Sequence, residues 1–344
     1  MAKKLPKVSI VTCTYNGDRI IEEYFQGIFS QDYPLENIEI ILGDGGSTDR
    51  TLKIIEGYIK KYPEIIKKFH NKMQFSIGKG YGMDQATRKA NGEIIIQLDQ
   101  DNILTQKNWI SRMVQILEEN KEISGVQSRY YVPNGASIVD KYVNALGIED
   151  PFASSYSLNA QIVLNPYKFK YNKKGDFYVY PVNKHRFYYA GDNGFVIRKK
   201  DFVESGGYTQ DIDNFYRMTN SKRKYLIAVP KEVRLYHKSS TELKHMLEKR
   251  AYYVGHYLLK NFDSREFYWF NMKANTFSEN MRFVLTVWYN LSFFPAFFKS
   301  LSLYAKEKKL YWLIHAPILW IMTVNYIKAF FYSKLFKKQR DANI

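Results

Sequence analysis

Three short apolar runs mark the first third of the chain. Each breaks into a polar loop at a glycine or an aspartate, and that pattern admits few folds. Val8-Ser9-Ile10-Val11-Thr12-Cys13 opens into Thr14-Tyr15-Asn16-Gly17, and apolar residues then recur at helical spacing from Ile20 to Phe29. Ile38-Glu39-Ile40-Ile41-Leu42 ends at Gly43-Asp44-Gly45-Gly46-Ser47-Thr48-Asp49, ahead of a helical stretch from Thr51 to Tyr62. Glu93-Ile94-Ile95-Ile96-Gln97-Leu98 runs into Asp99-Gln100-Asp101-Asn102, with an amphipathic helix expected over Trp109–Asn120. Strand, polar loop and helix in alternation describe an α/β domain with a mostly parallel central sheet flanked by helices. Such a sheet binds ligands at the carboxyl ends of its strands, which is where Asp44, Asp99 and Asp101 fall.

Further along, Phe75–Ile77 is expected to be a short strand, Gly78–Gly82 a loop and Met83–Ala90 a helix ending at Asn91-Gly92. Strands are expected at 125–131, 187–191, 194–197, 226–230 and 233–237. Short helices are expected at 200–205 and from Gln210 onward. Residues 133–189, rich in Tyr, Asn, Pro and Lys, read as loops and short helices over the sheet edge.

Alternation along an extended chain puts Asp99 and Asp101 on one side. Two hard oxygen donors so placed suit Mg²⁺ or Mn²⁺ shared with a substrate's phosphates. A solvated acidic turn is the competing reading of an isolated Asp-x-Asp. Asp211 and Asp213 near a helix start are equally consistent with simple dipole stabilisation. His237 is equally consistent with a hydrogen-bonded strand-end histidine, and Asp192 and Asn193 with a plain turn.

The formal charge of +17 calls for an anionic partner. No zinc-type spacing, RNA-binding signature or basic repeat points to nucleic acid. Cys13 is the only cysteine, so no intrachain disulfide can form, and a reducing compartment is expected. The apolar run behind the basic start is too short for a signal peptide, which places the expected domain on the cytoplasmic side. From Arg282 the composition shifts to apolar and aromatic stretches separated by lysines. Leu310–Tyr332 is long enough to span a bilayer, but its Asn325 and Lys328 equally suit a helix lying in the membrane plane, or a hairpin packed on the α/β domain.

The acidic sites and their contexts resemble the family 2 glycosyltransferases and their GT-A fold, over residues 7–260. Val8 to Asn16 resembles the opening strand and loop, with Cys13 where proline is usual. Asp44-Gly45-Gly46-Ser47-Thr48-Asp49 resembles the uracil-contacting loop, with glycine for the second aspartate. Asp99-Gln100-Asp101 matches the metal motif and Gly206-Gly207-Tyr208 the acceptor-side turn. Gln210-Asp211-Ile212-Asp213-Asn214-Phe215-Tyr216-Arg217 resembles the segment Glu-Asp-x-Asp-x-x-x-Arg, with Gln210 for the glutamate, and His237 falls where many members carry a histidine.

The resemblance implies an inverting transfer from a nucleotide diphosphate sugar, a UDP-sugar being favoured, to a hydroxyl of a glycan or lipid-linked glycan. Asp211 is then the general base. Asp101 and His237 hold Mn²⁺ or Mg²⁺, the imidazole favouring manganese. Asp99 meets the ribose or the ion's water shell. Asp44 accepts the uracil N–H, and Thr14, Tyr15 and Asn16 line the base pocket. Met83 stands where some relatives carry arginine, leaving Lys79 for the diphosphate. Asp192, Asn193 and Asp213 face donor or acceptor sugar. The expected division is a GT-A domain over 1–265 and a helical, membrane-associating region over 266–344, at the cytoplasmic face of the membrane. The alternative function is a non-catalytic nucleotide-sugar or glycan-binding protein of the same fold.

Overall fold

The structure is a computed structural model that describes residues 5–74, 78–155, 171–182, 193–208, 213–238, 242–254, 266 and 276–341. The expected strands at 75–77 and 187–191 lie outside these. The chain divides into two compact units, the first within 1–131 and 161–238, the second within 132–160 and 239–344. The second unit therefore begins earlier than the expected boundary at 265, and it includes a segment from the middle of the chain.

The first unit is built on a nine-stranded sheet. Its strands are β1 (Val8–Thr14), β2 (Ile38–Asp44), β3 (Ile66–His70), β4 (Ile94–Gln97), β6 (Gly125–Gln127), β8 (Asn172–Lys174), β9 (Phe177–Pro181), β10 (Phe195–Arg198) and β11 (Leu226–Pro230). Their order is β3-β2-β1-β4-β10-β6-β11-β9-β8. A small three-stranded sheet joins β5 (Asn102–Ile103), β12 (Arg234–His237) and β7 (Arg129–Tyr130). Pairing is parallel across β3-β2-β1-β4, as expected for the amino-terminal half. Beyond β4 the sheet is mixed, because β10 inserts antiparallel to both β4 and β6.

Every residue of β1, β2 and β4 is buried, which is why these strands read as apolar runs without alternation. Helices Ile21–Phe29, Thr51–Lys61 and Trp109–Glu119 follow where the spacing places them. Helix Lys79–Lys89 starts four residues earlier than expected, so the glycines read as loop lie within its first turn. The fit explains one of them: a Cβ on Gly82 would stand 2.5 Å from Cys13 Sγ, so glycine lets the helix pack onto β1.

At the amino ends of the strands, the buried Glu39 carboxylate takes bonds from Ser9 Oγ (2.7 Å), Asn91 N (2.8 Å), Asn91 Nδ2 (2.8 Å) and Lys67 Nζ (3.1 Å). This ties β1, β2, β3 and the turn before β4 together. Burial alone would raise the Glu39 pKa. The donors from Asn91, Ser9 and Lys67 outweigh it and bring the value down from 4.5 to about 2. A depressed carboxylate stabilises the fold above its unfolded pKa, and that contribution is lost as pH falls from 4.5 through about 2. Glu39→Ala should cost on the order of 3 kcal/mol near neutral pH, because several buried donors lose their acceptor. Glu39→Gln should flatten the pH dependence of denaturant unfolding in that acid window. An unchanged profile would show that Glu39 contributes nothing there.

The second unit is helical. Helix Ile138–Leu146, capped by Ser137 Oγ and ended by the left-handed Gly147, falls in the stretch read as loops and short helices. It packs with Met246 and Val254 and, from the C-terminal region, Trp312, Ile318, Met322 and Tyr326. Helices Pro151–Ser155, Leu243–Tyr253, Phe277–Leu291, Phe294–Glu307 and His315–Asp341 complete it.

Candidate functional site

The register of β1 with its neighbours aligns Thr14 with Asp44 on one side and Val11 with Gln97 on the other. The loops after β2, β1 and β4 therefore emerge together at the carboxyl edge. The chain order turns around at β1, the position where open α/β sheets form a ligand crevice.

Asp44 is buried, and its carboxylate is taken up by its own surroundings. Oδ1 accepts from Thr14 Oγ1 (3.0 Å) and Ser47 Oγ (2.6 Å), and Oδ2 from Gly46 N (2.9 Å) and Ser47 N (3.0 Å). A base N–H reaching Asp44 would have to displace one of these donors. Asp44 shapes the loop. Thr14 is likewise buried and donates to Asp44. Asn16 is exposed and takes a positive φ of 44°. Its N–H reaches Ser47 Oγ at 3.0 Å and its Oδ1 accepts Thr48 N at 2.9 Å, which ties the β1 and β2 loops together. Tyr15 is half-buried, and Gln100 grips its backbone, accepting from N at 3.2 Å and donating to O at 3.1 Å.

The Asp-x-Asp turn is held from inside by Asn102, which has no exposed surface. Its Oδ1 accepts Asp99 N at 3.1 Å, and its Nδ2 donates to Asp101 Oδ1 at 3.2 Å and Asn193 Oδ1 at 3.0 Å. Asn193 is buried and left-handed, and Gln127 Nε2 donates to its carbonyl at 3.2 Å. Asn193 thus supports the Asp-x-Asp turn. Antiparallel pairing of β5 with β12 sets His237 opposite Asn102. That brings His237 Nε2 to 3.5 Å from Asp101 Oδ1, both side chains about a fifth exposed. The Tyr130 ring backs the imidazole at 6.0 Å between centroids. Lys79, at the start of its helix, places Nζ 2.7 Å from Asp99 Oδ2. Four of the expected residues (Lys79, Asp99, Asp101 and His237) thus meet at one edge of the sheet.

Asp101 and His237 supply one hard oxygen and one imidazole nitrogen. Among the described residues no group of three or more His, Cys, Asp and Glu is arranged to hold a metal. The pair therefore fits a Mn²⁺ or Mg²⁺ ion whose other positions are filled by phosphate oxygens and water, the usual arrangement for these ions in phosphate chemistry. Lys79 adds a positive charge beside Asp99.

Asp192 and Asp211 lie outside the described residues. Asp213 opens helix Asp213–Asn220 and is fully buried. The acceptor-side turn is held by side chains the sequence reading gave no role. Arg217 Nη1 donates to the carbonyls of Gly206 (2.6 Å) and Gly207 (3.0 Å), and Asn214 Nδ2 to that of Gly207 (2.9 Å). Both glycines have positive φ, 93° and 72°, where a side chain would be strained. Asn102 also went without a role, although an Asn directly after Asp-x-Asp is the residue type that closes such turns with its side chain.

The family model described as glycosyl transferase family 2 matches residues 9–183, just over half of the chain. An uncharacterised glycosyltransferase of Haemophilus influenzae is 32% identical over 142 residues, 41% of each chain. A dolichyl N-acetyl-alpha-D-glucosaminyl phosphate 3-beta-D-2,3-diacetamido-2,3-dideoxy-beta-D-glucuronosyltransferase of Methanococcus voltae is 33% identical over 126 residues, 35% of this chain and 37% of the relative. The match thus spans well under half the length of these relatives. Among solved structures, a mannosyltransferase from Pyrobaculum calidifontis in complex with GDP-Man and Mn²⁺ superposes with a TM-score of 0.54 at 15% identity, covering 94% of this chain and 88% of the other. That likeness concerns the fold and agrees with the GT-A architecture. With the strand-end carboxylates in place and more than half of the sequence matched, the chain belongs to glycosyl transferase family 2.

Proposed function

We propose that this protein is an inverting, divalent-metal-dependent glycosyltransferase. It would move a sugar from a nucleotide diphosphate donor to a hydroxyl of a glycan or lipid-linked glycan, in cell-surface polysaccharide synthesis at the cytoplasmic face of the membrane. The observation that carries the reading is the Asp101–His237 pair at 3.5 Å, beside the Lys79–Asp99 ion pair at 2.7 Å, at the carboxyl edge of the sheet.

A divalent ion bound by Asp101 and His237 would neutralise charge on the departing diphosphate as a Lewis acid. Lys79 contributes a second cation, exchanging Asp99 for a phosphate oxygen when donor binds. Asp99, so released, is placed to accept from a ribose hydroxyl. Gln100 and Asn102 hold these groups in register. Asp211, in the segment after the Gly206-Gly207 turn, is assigned the proton of the incoming hydroxyl. The name of the Methanococcus voltae relative supports a lipid-linked acceptor, and the Mn²⁺ of the Pyrobaculum calidifontis complex supports the choice of ion.

Nucleotide release from a panel of UDP- and GDP-sugars, with and without Mn²⁺, tests the proposal. Metal-dependent release is expected, strongest with a UDP-sugar. A protein that binds nucleotide but releases none with any donor and glycan acceptor would instead be a binding protein of this fold.

A further inference from the structure

Helices Phe277–Leu291 and Phe294–Glu307 each turn an apolar row away from the unit that holds them. Phe277, Met281, Val284, Leu285 and Trp288 recur on one face of the first, with Phe277 79% and Trp288 61% exposed. Phe294, Phe297, Phe298 and Leu301 do so on the second, with Phe294 69% and Phe298 65% exposed. An amphipathic helix ordinarily buries such a row. Here other faces are packed: Phe283 and Val287 lie against the helical core, and Ala296 and Ser300 against the start of the long helix, where Ala316 N donates to Ser300 Oγ at 3.2 Å. Aromatic rows exposed on consecutive helices mark an interaction surface.

Charge indicates what covers it. Residues 277–341 carry ten Lys and Arg against three Asp and Glu. Exposed Lys299 and Lys306 lie two turns apart at the margin of the same helix's exposed face. Aromatics edged by lysines match the headgroup region of an anionic bilayer.

Leu310–Tyr332 is the one described stretch long and apolar enough to cross a membrane. Its inner face is committed elsewhere. Ala316, Leu319 and Met322 have no exposed surface, and His315 Nδ1 lies 2.8 Å from Tyr142 OH. Tyr326 OH donates to Asp150 Oδ2 at 2.8 Å, which also takes Arg250 Nη2 at 2.7 Å. An ion pair bonded to the middle of a helix is costly to place in hydrocarbon. We infer that the second unit seats in the plane of an anionic bilayer through the outward rows of Phe277–Leu291 and Phe294–Glu307, with the long helix as its core and not as a span.

The test uses the full chain, purified without detergent, in flotation with phosphatidylcholine vesicles with or without phosphatidylglycerol. Binding is expected to phosphatidylglycerol vesicles and to weaken with salt. The exposed substitutions Trp288→Ser, Phe294→Ser and Phe298→Ser combined should weaken it about tenfold or more with unchanged circular dichroism. Lys299→Glu with Lys306→Glu should remove the preference for phosphatidylglycerol. Equal flotation of the aromatic variant and the wild type overturns the inference. So does a stable dimer that ignores vesicles, which would assign the rows to a second copy. A chain that cannot be recovered without detergent, and that stays in membranes after alkaline extraction, would assign a span and overturn it as well. No donor or acceptor is present, so the outcome is independent of the sugar-transfer reading.

Discussion

Asp101→Ala should abolish metal-dependent nucleotide binding and lower transfer by about a thousandfold or more, in line with losing a charge-stabilising group at a developing anion. The side chain supplies the only carboxylate oxygen within 4.0 Å of His237 among the described ion pairs, and it projects from a turn already held by Asn102. Asp101→Asn separates charge from shape. The amide can still accept from Asn102 Nδ2, so the turn should survive while the negative charge is gone. Nucleotide binding measured calorimetrically across a Mn²⁺ titration reads the difference. Both variants should bind nucleotide independently of metal, with unfolding midpoints close to wild type. His237→Gln should weaken the metal response less, since the carboxylate remains. If Asp101→Asn keeps the wild-type metal dependence, Asp101 is a turn residue and the ion is held elsewhere.

Much of this site could be read in the sequence because its main elements are local. β1, β2 and β4 are buried on both faces, so each announces itself as an unbroken apolar run, and the loop after each falls at the binding edge. β3 does not announce itself as a strand, because Lys67 and Lys68 break its apolar pattern. It is the edge strand, where lysines are a normal protection against further pairing. Helix Lys79–Lys89 was started late because Gly80 and Gly82 look like loop until Cys13 is seen beneath Gly82. Composition could not show that β10 would insert antiparallel between β4 and β6, since that depends on a strand about a hundred residues downstream.

The same limit governs the carboxylates. Asp44 and Glu39 both sit in β2, and each is saturated by donors from other strands and turns, one at the ligand edge and one at the opposite edge. Residue type alone points Asp44 to a base contact, and only its partners show that it also organises the loop. The half-buried Tyr15 and the exposed Asn16 beside it have their backbone fixed by Gln100 and Ser47.

Asp211→Asn should leave donor and metal binding close to wild type and lower turnover by about 10²- to 10⁴-fold, the range for removing a general base. The split between binding and turnover is the informative readout, because a residue that only supported the fold would change both. The chain on either side is firmly placed. Arg217 and Asn214 clamp the Gly206-Gly207 turn before the segment, and buried Asp213 opens the helix after it. Arg217→Lys provides the structural control. Lysine is an atom shorter than the reach to Nη1, the nitrogen that donates to both carbonyls, so turnover should drop while the acid limb of the pH–rate profile stays where wild type has it. In Asp211→Asn the part of that limb owed to the general base should be lost, while the part owed to Asp101 and His237 stays. A variant that keeps both near-normal turnover and the wild-type acid limb would remove Asp211 as the base.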